Sequence, residues 1–415
     1  MDAAEIEAAT RVLAARSPFR YYGPDVQREV SQFERELAQF IGVPFCLGVA
    51  SGTSALNASL AALGVGPGDE VIIPGYFWVS TVAAVVHNGA IPVLGDVDEH
   101  LALDPTDLER KITARTRAVI MVHMGGVVGQ VERVADICRS RSVLLLEDCA
   151  QALGAAKSNT SVGQFGDIAI FSFQMNKICT AGEGGAIVTR NEAIFGKVTA
   201  IHDLGYPRDI SGSLVMKDDE HQSWGIGCRM NEITAAVLRV QLRKLPAIVS
   251  EMRSLYERLA EIVRSSGRVV CLAGDDARGS AGTCLSIRFD SERSAKTFQK
   301  ILFTQSMRGC RQAFRTTLLK DYGLHLYHNV RSLVSKRSIC GHHSVWEMAD
   351  NAFARHYSYD KGALPALDAL EDRVLLFPIP VGLTLADQED LLRVFDLACV
   401  SRSESSGAVT VGARP

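Results

Sequence analysis

The chain has 415 residues, of which 47% are apolar and 22% are charged, so it has the composition of a globular protein and is not expected to be disordered or fibrous. Its 44 basic and 47 acidic residues give a net charge of −3. There is no basic excess to neutralise phosphates, which argues against nucleic-acid binding, and no apolar run of about 18 residues predicts a membrane span.

The N-terminal segment predicts a helix and not a secretory signal peptide, because it lacks the apolar core of such a signal. Ten cysteines lie scattered through apolar runs without any C-x-x-C spacing, at positions 46, 138, 149, 179, 228, 271, 284, 310, 340 and 399. We interpret them as reduced core residues, and not as disulfides or zinc ligands. This interpretation predicts a cytoplasmic protein.

Helical and β-branched segments alternate through the first 240 residues. Apolar spacing predicts helices over residues 23–41, 53–63 and 131–141. Short apolar runs predict strands at residues 70–73, 91–94, 118–122, 142–146, 168–173 and 185–189. Strands that alternate with helices predict βαβ units around a largely parallel, buried sheet, so the fold class is α/β.

The pattern changes after about residue 240. A long helix over residues 231–265 is followed by a strand at 284–289, a helix at 291–305, an irregular polar stretch at about 307–345 and a closing helix at 384–400. We therefore predict a large domain over residues 1–240, a smaller α+β domain over 241–400, and a disordered polar tail over 401–415.

A lysine follows one of the predicted strands in a loop. The strand ends at Ser172, Lys177 comes next, and three glycines precede the following strand. A lysine desolvated in the wall of a pocket has the lowered pKa that a Schiff base needs. Taken alone, this segment favours the alternative of a surface lysine in a hairpin loop.

An acidic residue ends another predicted strand. Asp148 lies at the carboxyl end of a buried strand, which is where open α/β sheets bind ligands. A pyridoxal cofactor needs an acid there to keep its ring nitrogen protonated. Gln151, three residues further on, is placed to reach the ring hydroxyl. The sequence supports equally well the alternative that Asp148 only caps the following turn.

Two more segments follow strands. Small residues around Gly52 and Thr53 open a helix, as in a phosphate site, although an ordinary N-cap has the same composition. Trp78 can lie flat on a cofactor ring, although an aromatic residue there more often belongs to the core. All these segments follow predicted parallel strands and so share one edge of the sheet. Together they predict a site for pyridoxal 5′-phosphate.

The motifs resemble those of the DegT/StrS-type aminotransferases, which are pyridoxal-phosphate enzymes of fold type I that aminate keto-sugars and keto-cyclitols. The resemblance extends from about residue 20 to residue 241, and more loosely to residue 400. It rests on V-x-SGT-x-AL at residues 49–56, EDCAQALGA at 147–155 and SFQMNK…GEGG at 172–185. It implies a homodimer with active sites at the subunit interface.

The resemblance also implies a reaction and roles for single residues. The enzyme would move an amino group from glutamate or glutamine to a keto-sugar, keto-cyclitol or related carbonyl compound, in aminosugar or secondary-metabolite biosynthesis such as antibiotic formation. Lys177 would form the internal aldimine and Asp148 would hold the pyridine nitrogen. The other cofactor contacts would be Gln151 at the ring hydroxyl, Trp78 on the ring face, and Gly52, Thr53 and Ser172 at the phosphate.

One position departs from the family motif G-x-N-x-R-M-x-E. Gly227 stands where relatives have an Asn that reaches the cofactor phosphate of the neighbouring subunit. The glycine either lacks that contact or provides a positive φ angle. Arg229 keeps the arginine of the motif. It either binds the carboxylate of the amino donor or forms a structural ion pair.

Five histidines lie close together in sequence: His325, His328, His342, His343 and His356. They lack the spacing of metal ligands, so no metal site is predicted. The resemblance places them in a loop that closes over the substrate, which favours polar contacts with the substrate.

Two other functions compete with transamination. One is a sugar dehydratase of the same family, and the other is a regulatory homologue that has lost catalysis. Family dehydratases have a histidine at the position of Lys177, so the lysine argues against the first. The intact lysine, acid and phosphate segment argue against the second.

Overall fold

The computed structural model describes residues 1–209, 211–216, 222–273, 279–304, 316–339 and 344–400. The prediction of a disordered tail over 401–415 lies outside these residues, and so do the predictions for His342 and His343. Part of the irregular stretch predicted at 307–345 also lies outside them.

A seven-stranded sheet forms the centre of the first part of the chain. The first nine strands are β1 (Phe45–Val49), β2 (Glu70–Pro74), β3 (Ile91–Gly95), β4 (Thr116–Val122), β5 (Leu144–Asp148), β6 (Ala156–Lys157), β7 (Thr160–Ser161), β8 (Ile168–Ser172) and β9 (Gly185–Thr189). The sheet has the order β1-β9-β8-β5-β4-β2-β3, while β6 and β7 form a separate hairpin. β9 runs antiparallel to both its neighbours, and the other six strands run in one direction.

Helices cover both faces of this sheet. The α-helices of the described chain are α1 (Ala3–Ala14), α2 (Glu29–Ile41), α3 (Gly52–Ala62), α4 (Val79–His87), α5 (Pro105–Lys111), α6 (Val131–Arg141) and α7 (Glu192–His202), followed by α8 (Glu232–Ser265), α9 (Glu292–Thr304), α10 (Arg331–Val334), α11 (Pro365–Leu370) and α12 (Leu385–Val400). Alternate residues of a strand reach opposite faces. Val71 and Ile73 therefore lie in one buried cluster, with α3 and α4, and Ile72 lies in the other, with α2 and α6.

The helix predicted over residues 23–41 begins later than expected. α2 starts at Glu29, because Arg28 has a φ of 57° in the left-handed region, which ends helical continuity. The carboxylate of Glu232 accepts hydrogen bonds from the backbone N–H groups of Glu29 and Val30, at 2.6 and 3.1 Å. A side chain from α8 therefore caps this helix.

A second sheet forms from the later strands. Its members are β10 (Val270–Cys271), β11 (Cys284–Arg288), β12 (Thr317–Leu318) and β13 (Val374–Pro378), in the antiparallel order β10-β11-β13-β12. This sheet shares a buried cluster with α9, α12 and the end of α8. The helices predicted at 291–305 and 384–400 are confirmed to within one residue at each end.

The long helix α8 crosses residue 240. Leu238 packs with the helices on one face of the large sheet, and Leu255 packs with the second sheet. Asn231 accepts a hydrogen bond from Thr234 N–H at 2.8 Å and so caps the helix start. Because one helix joins both parts, the predicted domain boundary falls inside a continuous element, and the division into domains stays a prediction.

The cysteines that the structure describes are free thiols, and most of them are buried. Among the described helices, none has both the length and the apolar character that crossing a membrane requires.

Candidate active site

A cavity of about 760 Å³ opens at the carboxyl edge of the large sheet. Asp148 ends β5, Ser172 ends β8, and His123 follows β4. All the predicted cofactor residues line the cavity: Gly52, Thr53, Trp78, Asp148, Gln151, Ser172 and Lys177. Residues of the second sheet complete the wall, including Cys284 and Pro378. The structure therefore brings together segments that are distant in sequence.

Asp148 is a buried carboxylate, with 4% of its surface exposed. Its two oxygens accept hydrogen bonds from Ala150 N–H at 3.1 Å and from the Thr81 hydroxyl at 3.0 Å. Burial raises the pKa of Asp148, while these hydrogen bonds and the charge of Lys177 act in the opposite direction. This carboxylate is suited to a cationic N–H partner, which would compensate its loss of water.

Lys177 lies in the loop after β8 and is mostly buried in the cavity wall. Its backbone N–H donates to the carbonyl of Gln174 at 2.9 Å, which fixes the loop. Burial lowers the pKa of the Lys177 amine, and the negative charge of Asp148 opposes this shift. A lysine with a lowered pKa has more of its amine in the nucleophilic form at neutral pH.

The start of α3 forms an end of the cavity suited to an anion. The Ser51 hydroxyl accepts from Ser54 N–H at 3.1 Å, but the N–H groups of Gly52 and Thr53 have no partner within the helix. A Cβ on Gly52 would lie 2.8 Å from the Cβ of Ser172, so glycine is needed for this close approach. The free N–H groups and the helix dipole favour a phosphate here.

Gln151 and Trp78 lie on the walls between these groups. The side-chain oxygen of Gln151 accepts from Gly125 N–H at 3.0 Å, so its amide NH₂ remains to donate. Trp78 precedes the first residue of α4 and is 43% exposed, so its ring faces the cavity more than the core. The geometry is compatible with the predicted contacts to a ring hydroxyl and a ring face.

Sequence reasoning missed two supporting residues. Thr81, which holds Asp148, lies three residues after Trp78 on the first turn of α4, and that spacing is the signal available in the sequence. His123 has no exposed surface, and its Nε2 lies 3.2 Å from a carboxylate oxygen of Glu147. Glu147 also accepts from three backbone N–H groups of the loop at 163–166. The pair thus supports the strand end that carries Asp148.

The predicted histidines have different surroundings. His325 lines the cavity, His328 contacts Glu371 at 2.8 Å, and His356 is exposed. In the described chain, possible metal ligands gather in two groups: His123 with Glu147 and Cys149, and His328 with Asp368 and Glu371. The carboxylates of both groups already accept hydrogen bonds from protein donors. Neither group requires a metal ion for its packing, and the prediction of no metal site stays a prediction.

Arg229 is not among the described residues that line the cavity. Its guanidinium pairs with Asp203, which also pairs with Arg208, and it lies 5.5 Å from the ring centre of Phe19. Asp203 is 1% exposed, so the pairing satisfies a buried charge. Of the two roles considered for Arg229, the geometry favours the structural ion pair.

Replacing Arg229 with methionine should lower the free energy of unfolding by about 1–3 kcal/mol, since Asp203 would lose one charged hydrogen-bond partner. Urea unfolding measures this loss, and Arg35→Met is the control because Arg35 is exposed on α2. Unchanged stability with a raised KM for the amino donor would instead assign Arg229 to substrate binding.

Gly227 has a φ of 64°, which is the left-handed region that favours glycine. A Cβ at this position would meet no atom within 4 Å of the same chain, so space for a side chain exists. Asn is among the few other residues that tolerate this conformation. Of the two explanations for a glycine at position 227, the positive φ angle agrees with the observed backbone.

The sequence matches a known family model and several curated relatives. The model of the DegT/DnrJ/EryC1/StrS aminotransferase family matches residues 2–337. A GDP-perosamine synthase of Vibrio cholerae is 35% identical over 237 residues, which are 57% of this chain and 62% of that relative. An L-glutamine:2-deoxy-scyllo-inosose aminotransferase of Streptomyces lividus is 36% identical over 243 residues, 57% of each chain. The matched region thus spans about six tenths of these relatives.

Solved structures match over almost the whole chain. The crystal structure of 3-amino-5-hydroxybenzoic acid synthase has a TM-score of 0.77 and 28% identity, and the match covers 97% of both chains. The aminotransferase TlmJ from Streptoalloteichus hindustanus also has a TM-score of 0.77, with 26% identity and 97% coverage of both chains. The predicted fold class, fold type I with a mostly parallel central sheet, is confirmed. With its sheet, its cavity and its sequence all in agreement, this chain belongs to the DegT/DnrJ/EryC1/StrS aminotransferase family.

Proposed function

We propose that this protein is a pyridoxal-phosphate-dependent aminotransferase that moves an amino group from glutamate or glutamine to the carbonyl carbon of a keto-sugar or keto-cyclitol. One observation carries the proposal: a single cavity holds a lysine of lowered pKa, a buried acid and a helix N-terminus with free N–H groups. These are the nucleophile, the ring-nitrogen partner and the anion site that this cofactor needs.

The residues of the cavity fit each part of the cofactor. The N–H groups of Gly52 and Thr53, with the hydroxyl of Ser172, would hold the phosphate. Trp78 would cover a ring face and Gln151 would donate to the ring hydroxyl. When bound, pyridoxal phosphate supplies an electron sink for charge that develops at the substrate carbon.

The protein's own side chains would carry out the proton transfers. The Nζ atom of Lys177 would be the nucleophile that holds the cofactor, and the same amine would be the base and acid that moves the substrate proton. A carboxylate oxygen of Asp148 would hold the proton on the ring nitrogen. Thr81 and the N–H of Ala150 keep that carboxylate in place.

The charges of the cavity support an acceptor without a diphosphate. Among the described lining residues, Lys177 is the one lysine or arginine, whereas Asp148 and Glu183 are acidic. A diphosphate would need several cationic contacts, and the described wall offers none beyond the lysine that binds the cofactor. We therefore propose a polyhydroxylated carbonyl compound, of which the inosose named for the Streptomyces lividus relative is an example.

Separate half-reactions test the proposed function. The cofactor-loaded protein is mixed with L-glutamine or L-glutamate, and the absorbance of the cofactor is followed. The protein with its aminated cofactor is then mixed with 2-deoxy-scyllo-inosose or with a nucleotide-linked keto-sugar, and mass spectrometry detects the amine product. We expect a spectral change with a donor and nitrogen in the cyclitol product. Loss of water from the sugar without nitrogen transfer would indicate a dehydratase. No spectral change with either donor would indicate a regulatory homologue that has lost catalysis.

We also propose that the protein is a homodimer, because exposed apolar side chains gather on one segment. Met216 is 80% exposed and Trp224 is 93% exposed, and Leu204 and Ile226 lie nearby in sequence. Several exposed apolar side chains within about 20 positions indicate a surface that another protein chain covers. The segment leads directly into the motif that contains Gly227.

Sedimentation equilibrium measures the oligomeric state. We expect a dimer for the wild-type protein and weaker association for Trp224→Glu, because the charge would be buried at the interface. Ile6→Glu is the control, since Ile6 is also exposed but lies on α1. A fully active monomer at the assay concentration would refute the dimer.

A further inference from the structure

The loop that carries Trp78 is held by a segment from much later in the chain, residues 322–327, here named the clamp segment. The N–H of Phe77 donates to the carbonyl of His325 at 3.0 Å, and the N–H of Tyr327 donates to the carbonyl of Gly75 at 3.1 Å. These two hydrogen bonds join the clamp segment to the loop after β2, immediately before Trp78.

The clamp segment is anchored in the core of the large sheet. Leu326 and Tyr327 have no exposed surface and lie in the same buried cluster as Tyr76 and Phe77. The Tyr327 hydroxyl donates to Asp368 at 3.0 Å. Backbone hydrogen bonds and burial therefore fix the position of the clamp segment relative to the cavity.

The ring of His325 is held twice by one neighbour. It stacks on the Tyr322 ring with centroids 3.8 Å apart and planes 12° apart. Its Nδ1 lies 2.7 Å from the Tyr322 carbonyl, which only accepts, so Nδ1 is the donor. Burial lowers the pKa of His325, which favours the neutral form of the ring. A neutral ring fixed in this way is a rigid aromatic surface.

Trp78 rests against that surface. The centroids of Trp78 and His325 are 4.8 Å apart, with the planes tilted by 46°. Trp78 makes no side-chain capping bond to α4, and it is partly exposed to the cavity. Since an exposed side chain exchanges readily between rotamers, the contact with His325 limits the orientations that are open to the indole.

We propose that His325 is a positioning residue whose ring, stacked on Tyr322, holds the Trp78 indole in the orientation that covers pyridoxal phosphate. The clamp segment is then part of the cofactor site, and its aromatic surface matters more than its polar atoms. This inference rests on the proposed function, because it assumes that the cavity binds this cofactor.

Titration of the full-length apo-protein with pyridoxal phosphate tests the role of the ring. His325→Gln removes the ring but keeps a polar tip, and His325→Phe keeps an aromatic ring. We expect the glutamine variant to raise the Kd by about three- to tenfold, because an aromatic contact is lost, and the phenylalanine variant to stay within about twofold of wild type. His87→Ala is the control, since His87 is exposed at the far end of α4.

A double-mutant cycle separates positioning from a general effect on folding. In a Trp78→Ala background, His325→Gln should leave the Kd unchanged, because there is no indole to hold. Thermal melts of the apo-forms run in parallel. An equal increase of the Kd in both backgrounds would overturn the inference, as would a wild-type Kd for His325→Gln alone. A phenylalanine variant weaker than the glutamine variant would also overturn it. Failure of the wild-type protein to bind pyridoxal phosphate would instead refute the proposed function.

Discussion

Replacing Lys177 with alanine should abolish nitrogen transfer from glutamine or glutamate to the acceptor. No other lysine of the described chain lines the cavity, so no other amine is placed to act as nucleophile and as proton carrier. The variant should still bind pyridoxal phosphate, because the phosphate and ring contacts remain. The rate of product formation, measured by mass spectrometry with isotope-labelled donor, checks this expectation.

Two further variants serve as comparisons for Lys177→Ala. Lys197→Ala should retain wild-type turnover, because Lys197 is exposed on α7. Lys177→Arg should be as inactive as the alanine variant, since arginine keeps its proton at all working pH values and cannot serve as a nucleophile. Multiple turnovers by Lys177→Ala, with an absorbance spectrum like that of the wild type, would refute the assignment of Lys177.

Replacing Asp148 with asparagine should slow the chemical step by about 10²–10³-fold while the cofactor stays bound. In the proposed reaction the carboxylate charge would hold the proton on the ring nitrogen, and its loss would weaken the stabilisation of charge that develops in the reaction. The hydrogen bonds to Thr81 and Ala150 can persist, because an amide both donates and accepts. Single-turnover kinetics with L-glutamine measure the effect.

The same substitution should leave the apo-protein at least as stable as the wild type at pH 7. Burial raises the pKa of Asp148, so folding favours its protonated form. The stability that this preference contributes is complete below the unfolded-state pKa of about 3.9, and it is lost as the pH rises through the folded-state pKa. At neutral pH the charged form of Asp148 lowers the stability of the folded apo-protein, and replacement by asparagine removes this destabilisation.

Thermal melts of the apo-forms at neutral and at acidic pH measure this difference. Asp136→Asn is the control, because Asp136 is exposed on α6. A lower melting temperature for apo Asp148→Asn at neutral pH, together with unchanged single-turnover kinetics, would mean that Asp148 is a structural acid.

Local patterns, together with the family resemblance, predicted several of the residues that line the cavity, but Arg229 lies outside it. Asp148 and Ser172 end buried parallel strands, so they lie at the same edge of the sheet, and the pairing of β5 with β8 makes them neighbours. The contact between Thr81 and Asp148 was not predictable in this way. It depends on how close the first turn of α4 comes to the end of β5, which is set by the strand order β5-β4-β2 and by packing between distant segments.

Contacts between distant parts of the chain also explain the other differences. The first turn of α2 is capped by Glu232, so local sequence could not locate its start at Glu29. The clamp segment reaches Trp78 through hydrogen bonds between residues that lie far apart in sequence. The sequence predicted a polar role for the histidine loop as a whole, whereas the structure distinguishes His325 at the cavity from His328, which is paired with Glu371.

Chemical reduction identifies the lysine that binds the cofactor. The protein is incubated with pyridoxal phosphate, reduced with borohydride and digested, and the peptides are analysed by mass spectrometry. We expect the mass of the reduced cofactor on the peptide that contains Lys177, and we expect prior reaction with L-glutamine to reduce this labelling. Labelling of a different lysine, or no labelling at all, would refute Lys177 as the cofactor-binding residue.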